Sequence, residues 1–232
     1  MFKKKNILAI VPARGGSKGI KLKNLKKIRN KSLIEIVAKV VKKTKEIDFA
    51  LISTDNNKIA IEAQKHGLKY IFKRPKYLSG DFVSDHQVVK HALLKAEKFI
   101  NKKFDIVLLL QPTSPSRRSY DIRKCLKILI QKKVDSVWTC TKIDKKFHPL
   151  KVLQKNSKGG IKFFNNKGSQ IIARQQLDDV MIRNGICYAV LRKVILKHNN
   201  LLGLKCIPLE IKRNVVNIDT LEDLINARKV TI

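Results

Sequence analysis

The sequence predicts an α/β protein in which a mostly parallel mixed sheet is flanked by helices, within one domain covering residues 1–232. Three observations predict it. Short apolar runs alternate with amphipathic stretches of helical period, the run 106–110 is apolar throughout, and a loop rich in glycine and basic residues directly follows the first apolar run. Strands and helices alternating at this spacing build parallel sheets through right-handed crossovers. An all-apolar strand belongs at the centre of such a sheet, covered on both faces. Sites in these sheets lie at the carboxyl ends of the strands, which is where the loop falls.

Residues 6–11 read as the first, buried strand. A helix is expected over 32–44, where Leu33, Ile34, Ile36, Val37, Val40 and Val41 share one side; Ser32 and Glu35 have the spacing of a capping box. A second strand follows at 49–53, a helix at 57–66 closed by Gly67, and a third strand at 69–72. Beyond them come a helix over 84–100, the strand 106–110, a helix over 119–131 and a strand at 136–141. From 142 to 183 the rhythm breaks: Pro149, Gly159, Gly160 and Gly168 interrupt a polar stretch whose one strand candidate is 161–164. Strands at 186–191, 204–209 and 214–218 and a capped helix over 220–229 complete the chain.

Fifty-one Lys and Arg against eighteen acids give a formal charge of +33, and 44% of residues are hydrophobic, enough for an ordinary core. The charge alone would suit a polyanion-binding protein. The lysines, however, are spread over every segment between apolar positions, as a compositional bias toward Lys, Ile and Asn would leave them. Specific nucleic-acid binding is therefore not expected. Cys125, Cys140, Cys187 and Cys206 are widely spaced without a C-x-x-C pair, which suits reduced thiols in the cytoplasm. No apolar stretch approaches the roughly 18 residues of a membrane helix, and the short run after Lys3, Lys4 and Lys5 lacks a cleavage site. The five histidines show no zinc-ligand spacing.

Chemistry concentrates in Pro12-Ala13-Arg14-Gly15-Gly16-Ser17-Lys18-Gly19 and the residues just beyond it. Three glycines allow the backbone to approach a ligand and turn successive N–H groups inward, while Arg14, Lys18, Lys21 and Lys23 neutralise negative charge, a combination suited to an oligophosphate. The pattern is neither the P-loop nor the dinucleotide fingerprint.

The stretch PARGGSKGIKLKNL resembles the A-R-x-x-S-K-G-x-x-x-K-N opening of the acylneuraminate cytidylyltransferases. Further matches follow in order: Ser53-Thr54-Asp55, Arg74-Pro75 with Leu78, Asp81 and Ser84, then Leu110-Gln111-Pro112-Thr113-Ser114-Pro115, Arg174-Gln175-Gln176, Asn184-Gly185 with Tyr188, and Ile218-Asp219. The resemblance spans residues 6 to 228. It implies a Rossmann-like nucleotidyltransferase fold with a dimerisation arm inserted at about 142–185, a homodimer, and magnesium as cofactor. It also implies a reaction in which the anomeric hydroxyl of an acidic nine-carbon sugar attacks the α-phosphorus of CTP and releases pyrophosphate.

Carried over to this chain, the resemblance assigns the nucleotide to Ala13, Arg14, Gly15, Ser17, Lys18, Lys23, Asn24 and Ser84, with Arg14, Lys23 and Asp219 serving catalysis. Asp81 and Asp85 are expected to organise the start of the helix at 84–100. Gln111, Arg174 and Tyr188 are assigned to the sugar, Arg174 because a guanidinium meets a carboxylate in a bidentate fork. Asp219, ending an apolar run, is the metal-ligand candidate together with Asn217. Asn217-Ile218-Asp219 departs from the D-x-D of many members, leaving one carboxylate where two are common. Among nine-carbon acids the sequence selects none. A guanylyltransferase of the same family and a non-enzymatic polyanion binder stand as alternatives.

Overall fold

The computed structural model describes residues 2 and 4–229. In chain order these form β1 (Ile7–Pro12), the short pair β2 (Lys27–Ile28) and β3 (Lys31–Ser32), α1 (Leu33–Lys42), β4 (Phe49–Ser53), α2 (Asn57–Lys65), α3 (Asp85–Ile100) and β5 (Ile106–Leu109). Then come α4 (Ser119–Gln131), β6 (Ser136–Lys142), β7 (Leu153–Lys155), β8 (Ile161–Phe163), β9 (Met181–Leu191), α5 (Arg192–Lys197), β10 (Cys206–Glu210) and α6 (Leu221–Lys229). Six strands make one mixed sheet in the order β10-β6-β9-β5-β1-β4. β4, β1 and β5 run parallel, β10 parallels β6, and β9 lies antiparallel between β5 and β6.

The alternation along β1 decides how the layers fill. Ile7, Ala9 and Val11 point into a core shared with α1, α2 and α4, whereas Leu8 and Ile10 point into a second core beneath α3 and α5. All five are fully buried, so β1 and its neighbour β5 are covered on both faces. A third, smaller cluster of Ile20, Ile28, Leu33, Ile218, Leu224 and Ala227 fastens α6 to the segment after β1.

Caps set the helix limits. Ser32 Oγ accepts from Glu35 N–H at 2.9 Å, but the expected box is only half made, because the Glu35 carboxylate turns outward to Lys39 at 2.5 Å. Asn56 caps α2 and Gly67 ends it at φ +90°. Ser84 and Gln87 form a complete capping box at α3. At α6 the Asp223 carboxylate accepts from Asp219 and Thr220 N–H groups.

Three expectations need correction. Residues 69–72 make one bridge, Lys69 to Leu51, and no strand: Arg74 is pulled across the end of β4, donating its N–H to Thr54 and its guanidinium to Ser53, so the chain leaves the sheet edge. The run 214–218 is apolar yet forms no strand. It crosses in front of the sheet, where Ile218 N–H donates to Thr113 C=O and Ile218 C=O accepts from Lys23. The strand expected at 204–209 starts at Cys206, because the Asp135 carboxylate takes the N–H groups of Leu204 and Lys205 after a left-handed Gly203.

The strand candidate at 161–164 forms β8, but its partner β7 and the β2–β3 pair were not expected from the pattern. β2 and β3 are joined by Arg29 and Asn30, both at positive φ, as in a type I′ hairpin. β7 and β8 pair within the irregular stretch, off the main sheet, and Ile161, Phe164 and Ile172 around them stay exposed. All four cysteines are free thiols. Among the described residues no helix is long and apolar enough to cross a membrane.

Candidate active site

A cleft of about 580 Å³ opens at the carboxyl ends of β1 and β5 and against β9. One wall is the loop after β1. Its backbone is packed tightly at two glycines: a Cβ on Gly15 would lie 2.8 Å from Asn56, and one on Gly19 would lie 2.7 Å from Asp219 C=O. Gly15 N–H donates to Asp55 at 2.9 Å, which turns this residue away from the cleft. Arg14 donates to Gly80 C=O at 2.8 Å and pairs with Asp81 at 2.8 Å, and Lys18 meets the other Asp81 oxygen at 2.7 Å. Lys18, followed by Arg14, holds the Asp81 carboxyl below its ordinary pKa. These pairs are solvent-facing, Lys18 being 81% exposed, so they exchange at little cost. Lys23 bridges Asp219 Oδ1 at 2.8 Å and Ile218 C=O at 2.9 Å, and Asn24 donates to Arg14 C=O at 3.3 Å.

The opposite wall is built from Gln111, Pro112 and Thr113 after β5, Asp85 at the first turn of α3, and Arg183, Gly185 and Tyr188 of β9. A bulge makes this wall. Cys140 of β6 is opposite Arg183 and Trp138 is opposite Tyr188, so β9 spends residues 184–187 where β6 spends only Thr139. Thr139 Oγ1 fills the gap, accepting from Cys187 N–H at 2.9 Å and donating to Cys187 C=O at 3.0 Å. In a regular strand residues 183 and 188 would face opposite sides; the inserted residues bring both to the cleft. Gly185 sits at the turn with φ +71°, where a Cβ would lie 2.4 Å from Ser114 Oγ and 2.7 Å from Gln111 Oε1.

Buried groups hold the bulge. Arg117, 4% exposed, donates to the carbonyls of Ile186, Gly185 and Gln111, and Ser114 Oγ donates to Asn184 C=O at 2.8 Å. Burial lowers the Arg117 guanidinium to about 10. Tyr188 stacks on Trp138 with ring centroids 4.5 Å apart, accepts from Gly185 N–H at 2.8 Å, and is pushed up by burial to about 12, so it stays neutral with its own proton free of that bond. Asp85 accepts from Gln111 Nε2 at 3.3 Å; burial raises its carboxyl, opposed by Arg183 and Arg74.

Of the residues singled out by sequence, Arg14, Ser17, Lys18, Lys23, Asn24, Gln111, Tyr188, Asn217 and Asp219 line this one cleft. Ala13 is buried beside it, donating to Ser53 C=O. Gly15 faces Asp55, and Ser84 is engaged as the cap of α3. Arg174 is not brought to the cleft of its own chain, a correction to the expected grouping with Gln111. Its short 3-10 turn is held on the surface by Gln176, which accepts from Ile172 and Ala173 N–H groups. The Arg174 side chain is 73% exposed, 3.9 Å from Asp144. Sequence reasoning missed Arg183, Arg117 and the place of Asp85 in the wall; the Pro-rich turn Ser114-Pro115-Ser116-Arg117 was the one visible hint.

Comparison with known proteins identifies the family. A family model for cytidylyltransferases matches residues 8–184. The post-translational flagellin modification protein B of Campylobacter coli is 30% identical over 197 residues, 85% of this chain and 82% of that protein. The CMP-N,N'-diacetyllegionaminic acid synthase of Campylobacter jejuni subsp. jejuni is 36% identical over 109 residues, about half of each chain (47% and 46%). In fold, the chain superposes on a solved CMP:2-keto-3-deoxy-manno-octonic acid synthetase complexed with CTP, with a TM-score of 0.73 over 97% of both chains at 19% identity. The match over most of the chain shows that this protein belongs to the cytidylyltransferase family, with the acylneuraminate cytidylyltransferases.

Proposed function

We propose that the protein transfers the cytidylyl group of CTP to a nonulosonic acid, giving the CMP-sugar and pyrophosphate. One observation carries the reading: a basic, glycine-turned wall faces an amide- and phenol-bearing wall across a single cleft, with Asp219 at the junction. Arg14, Ser17, Lys18 and Lys23 hold the triphosphate, Lys18 and Arg14 exchanging Asp81 for phosphate oxygens. Gln111 and Tyr188 hold the sugar. Its anomeric oxygen forms the new bond to the α-phosphorus as the bond to the β-phosphate oxygen breaks, pyrophosphate carries off the electron pair, and the hydroxyl proton passes to solvent. Positioning and charge neutralisation supply the catalysis, as phosphoryl transfers require.

The donors at the junction fit one magnesium ion. Asp219 offers a single, 65% exposed carboxylate, and magnesium takes one or two carboxylates with phosphate oxygens and water. Asn217, expected beside it as a ligand, instead donates its amide nitrogen to Asp219 Oδ2 at 3.0 Å and turns its oxygen toward Ser114, so it orients the carboxylate. Bound there, magnesium would offset phosphate charge; Lys23, already 2.8 Å from Asp219, does the same from the chain itself. The stretch 142–185 is proposed as the arm of a homodimer, supported by its exposed Ile161, Phe164 and Ile172. The free thiols support a cytoplasmic setting.

The test is pyrophosphate release from each of the four nucleoside triphosphates against N-acetylneuraminate, N,N'-diacetyllegionaminate and pseudaminate, with magnesium present. Turnover with CTP and at least one acid is expected. Turnover with GTP alone would make it a guanylyltransferase, and silence across the whole panel would sink the reading.

A further inference from the structure

We propose that Arg183, aimed into the cleft by the bulge in β9, binds the carboxylate of the acceptor sugar acid, the part that sequence matching gave to Arg174. The inference rests on the cytidylyl-transfer reading and names a residue for its second substrate.

The case begins with the cations that line the cleft. Arg14 and Lys18 are paired with Asp81, and Lys23 with Asp219. Arg74 is 5% exposed and spends its guanidinium on Ser53. Arg183 alone among the described lining cations has neither a side-chain hydrogen bond nor an ion pair, so its fork is open. It also stands on the right wall. Gly185 and Tyr188 are its neighbours across the bulge and Gln111 lies beside them, whereas every other available cation belongs to the triphosphate wall or the Asp219 junction.

An open guanidinium at that end calls for an anion. In a reaction between a triphosphate and a sugar acid, the anion left for this wall is the sugar carboxylate. A planar fork suits it through two parallel hydrogen bonds, and the Tyr188 hydroxyl, neutral and with its proton uncommitted, supplies a further donor. Asp85 works against a second carboxylate here. Its Oδ2 is occupied by the Gln111 amide, and Arg183 and Arg74 are the two cations that act on it. Removing Arg183 therefore removes both the partner of the substrate and the shield over Asp85. Arg174, by contrast, lies on the outer surface beside Asp144.

The experiment compares each nonulosonic acid with its C1 methyl ester, which keeps the sugar and loses the charge. Binding to the CTP-loaded enzyme is followed by calorimetry and pyrophosphate release in parallel, for the wild type, Arg183→Ala, Arg183→Lys and Arg174→Ala. Arg183 is exposed and makes no hydrogen bond or ion pair, so these variants are expected to fold, with Arg183→Ala melting only slightly lower at neutral pH because Asp85 keeps Arg74 but loses one of its two cations. The expected result is a wild type that prefers acid over ester, and an Arg183→Ala enzyme whose affinity for the acid falls about 10- to 100-fold, as loss of a charged hydrogen-bond pair predicts. Its affinity for the ester and its KM for CTP stay unchanged, and Arg183→Lys recovers part of the preference. An Arg183→Ala enzyme that still prefers the acid overturns the proposal, most directly if Arg174→Ala abolishes the preference instead. A wild type that binds CTP but takes neither acid nor ester fails the function reading, and this inference falls with it; that failure shows in the wild type, not in the variant.

Discussion

The loop after β1 and the bulge in β9 face each other across one cleft but are held by different means. The loop carries its cations within a dozen consecutive residues and ties them down at an exposed rim, through Asp81 and Asp219. The bulge carries fewer functional groups and ties them down inside, with Arg117 and Ser114 reaching carbonyls 68 to 70 positions away in sequence. A rim of exposed ion pairs contributes little stability and can hand its cations to a ligand. A buried network of satisfied carbonyls is costly to break and keeps its geometry. The side proposed to hold the polyphosphate is thus built to exchange partners, and the side proposed to hold the acceptor to stay rigid.

Substitutions on the two sides should therefore fail differently. The largest effect is expected from Asp219→Ala, which removes the carboxylate that pairs with Lys23 and is proposed to hold magnesium: kcat should drop about 10²- to 10³-fold, the loss seen when one charge-stabilising group leaves an active site. Because Asp219 is 65% exposed, melting should be unaffected; near-normal turnover would remove Asp219 from the junction. On the other wall, Arg117→Met leaves three carbonyls without their donor in a buried site. A cost of about 3 kcal/mol follows from unsatisfied buried acceptors. In a domain of this size that lowers Tm by roughly 6–12 °C, and a scanning-calorimetry trace that matches the wild type would show that the bulge does not depend on Arg117.

The same contrast explains what the sequence revealed. The loop was legible because its glycines and bases are contiguous and follow a strand, so position and chemistry are read together. Most of the sheet and its helices were legible for a similar reason: the unbroken apolar run 106–110 and the helical period of 119–131 report faces that are in fact buried. Arg183 was hidden because the strand was expected only over 186–191, whereas β9 begins at Met181; residues 184–187 break the period of two that would have joined its two halves. Arg117 resembled one more base in a basic chain, since its partners lie on a distant strand. Residues 214–218 misled for the opposite reason: Ile218 is fully buried, but against Ile20, Ile28 and Leu33 in front of the sheet, and burial alone cannot tell a strand from a packed crossing segment.

Gly185→Ala probes the joint between fold and acceptor wall at smaller cost. An alanine at φ +71° carries about 1–2 kcal/mol of backbone strain, and its Cβ would push Ser114 Oγ and Gln111 Oε1 aside. The KM for the sugar acid should rise while that for CTP holds; if steady-state kinetics show both rising together, the two walls are mechanically coupled and the contrast drawn above is too sharp.

The smallest effects, and the most direct comparison of the walls, come from two aspartates whose acidities shift in opposite directions. On the basic side Lys18 and Arg14 depress Asp81, so the stabilisation from that carboxylate is present above its unfolded pKa of about 3.9 and is lost as pH falls through the lower folded value. On the acceptor side burial raises Asp85, so the native state holds its proton more tightly than the unfolded chain. Its contribution to stability therefore declines as pH rises from about 3.9 through the raised folded value, leaving an ionised Asp85 as a net cost at neutral pH. Asp85→Asn should accordingly raise Tm at pH 7, with the gain vanishing below about pH 4, the range in which the wild-type group is protonated in both states. Asp81→Asn should lower Tm slightly at pH 7, with the loss shrinking in high salt, because an exposed pair is screened. Melting curves of both variants against the wild type across that pH range decide the matter: shifts of the same sign at pH 7 would mean that the two carboxylates share one environment, and that the cleft does not divide into an exchangeable wall and a buried one.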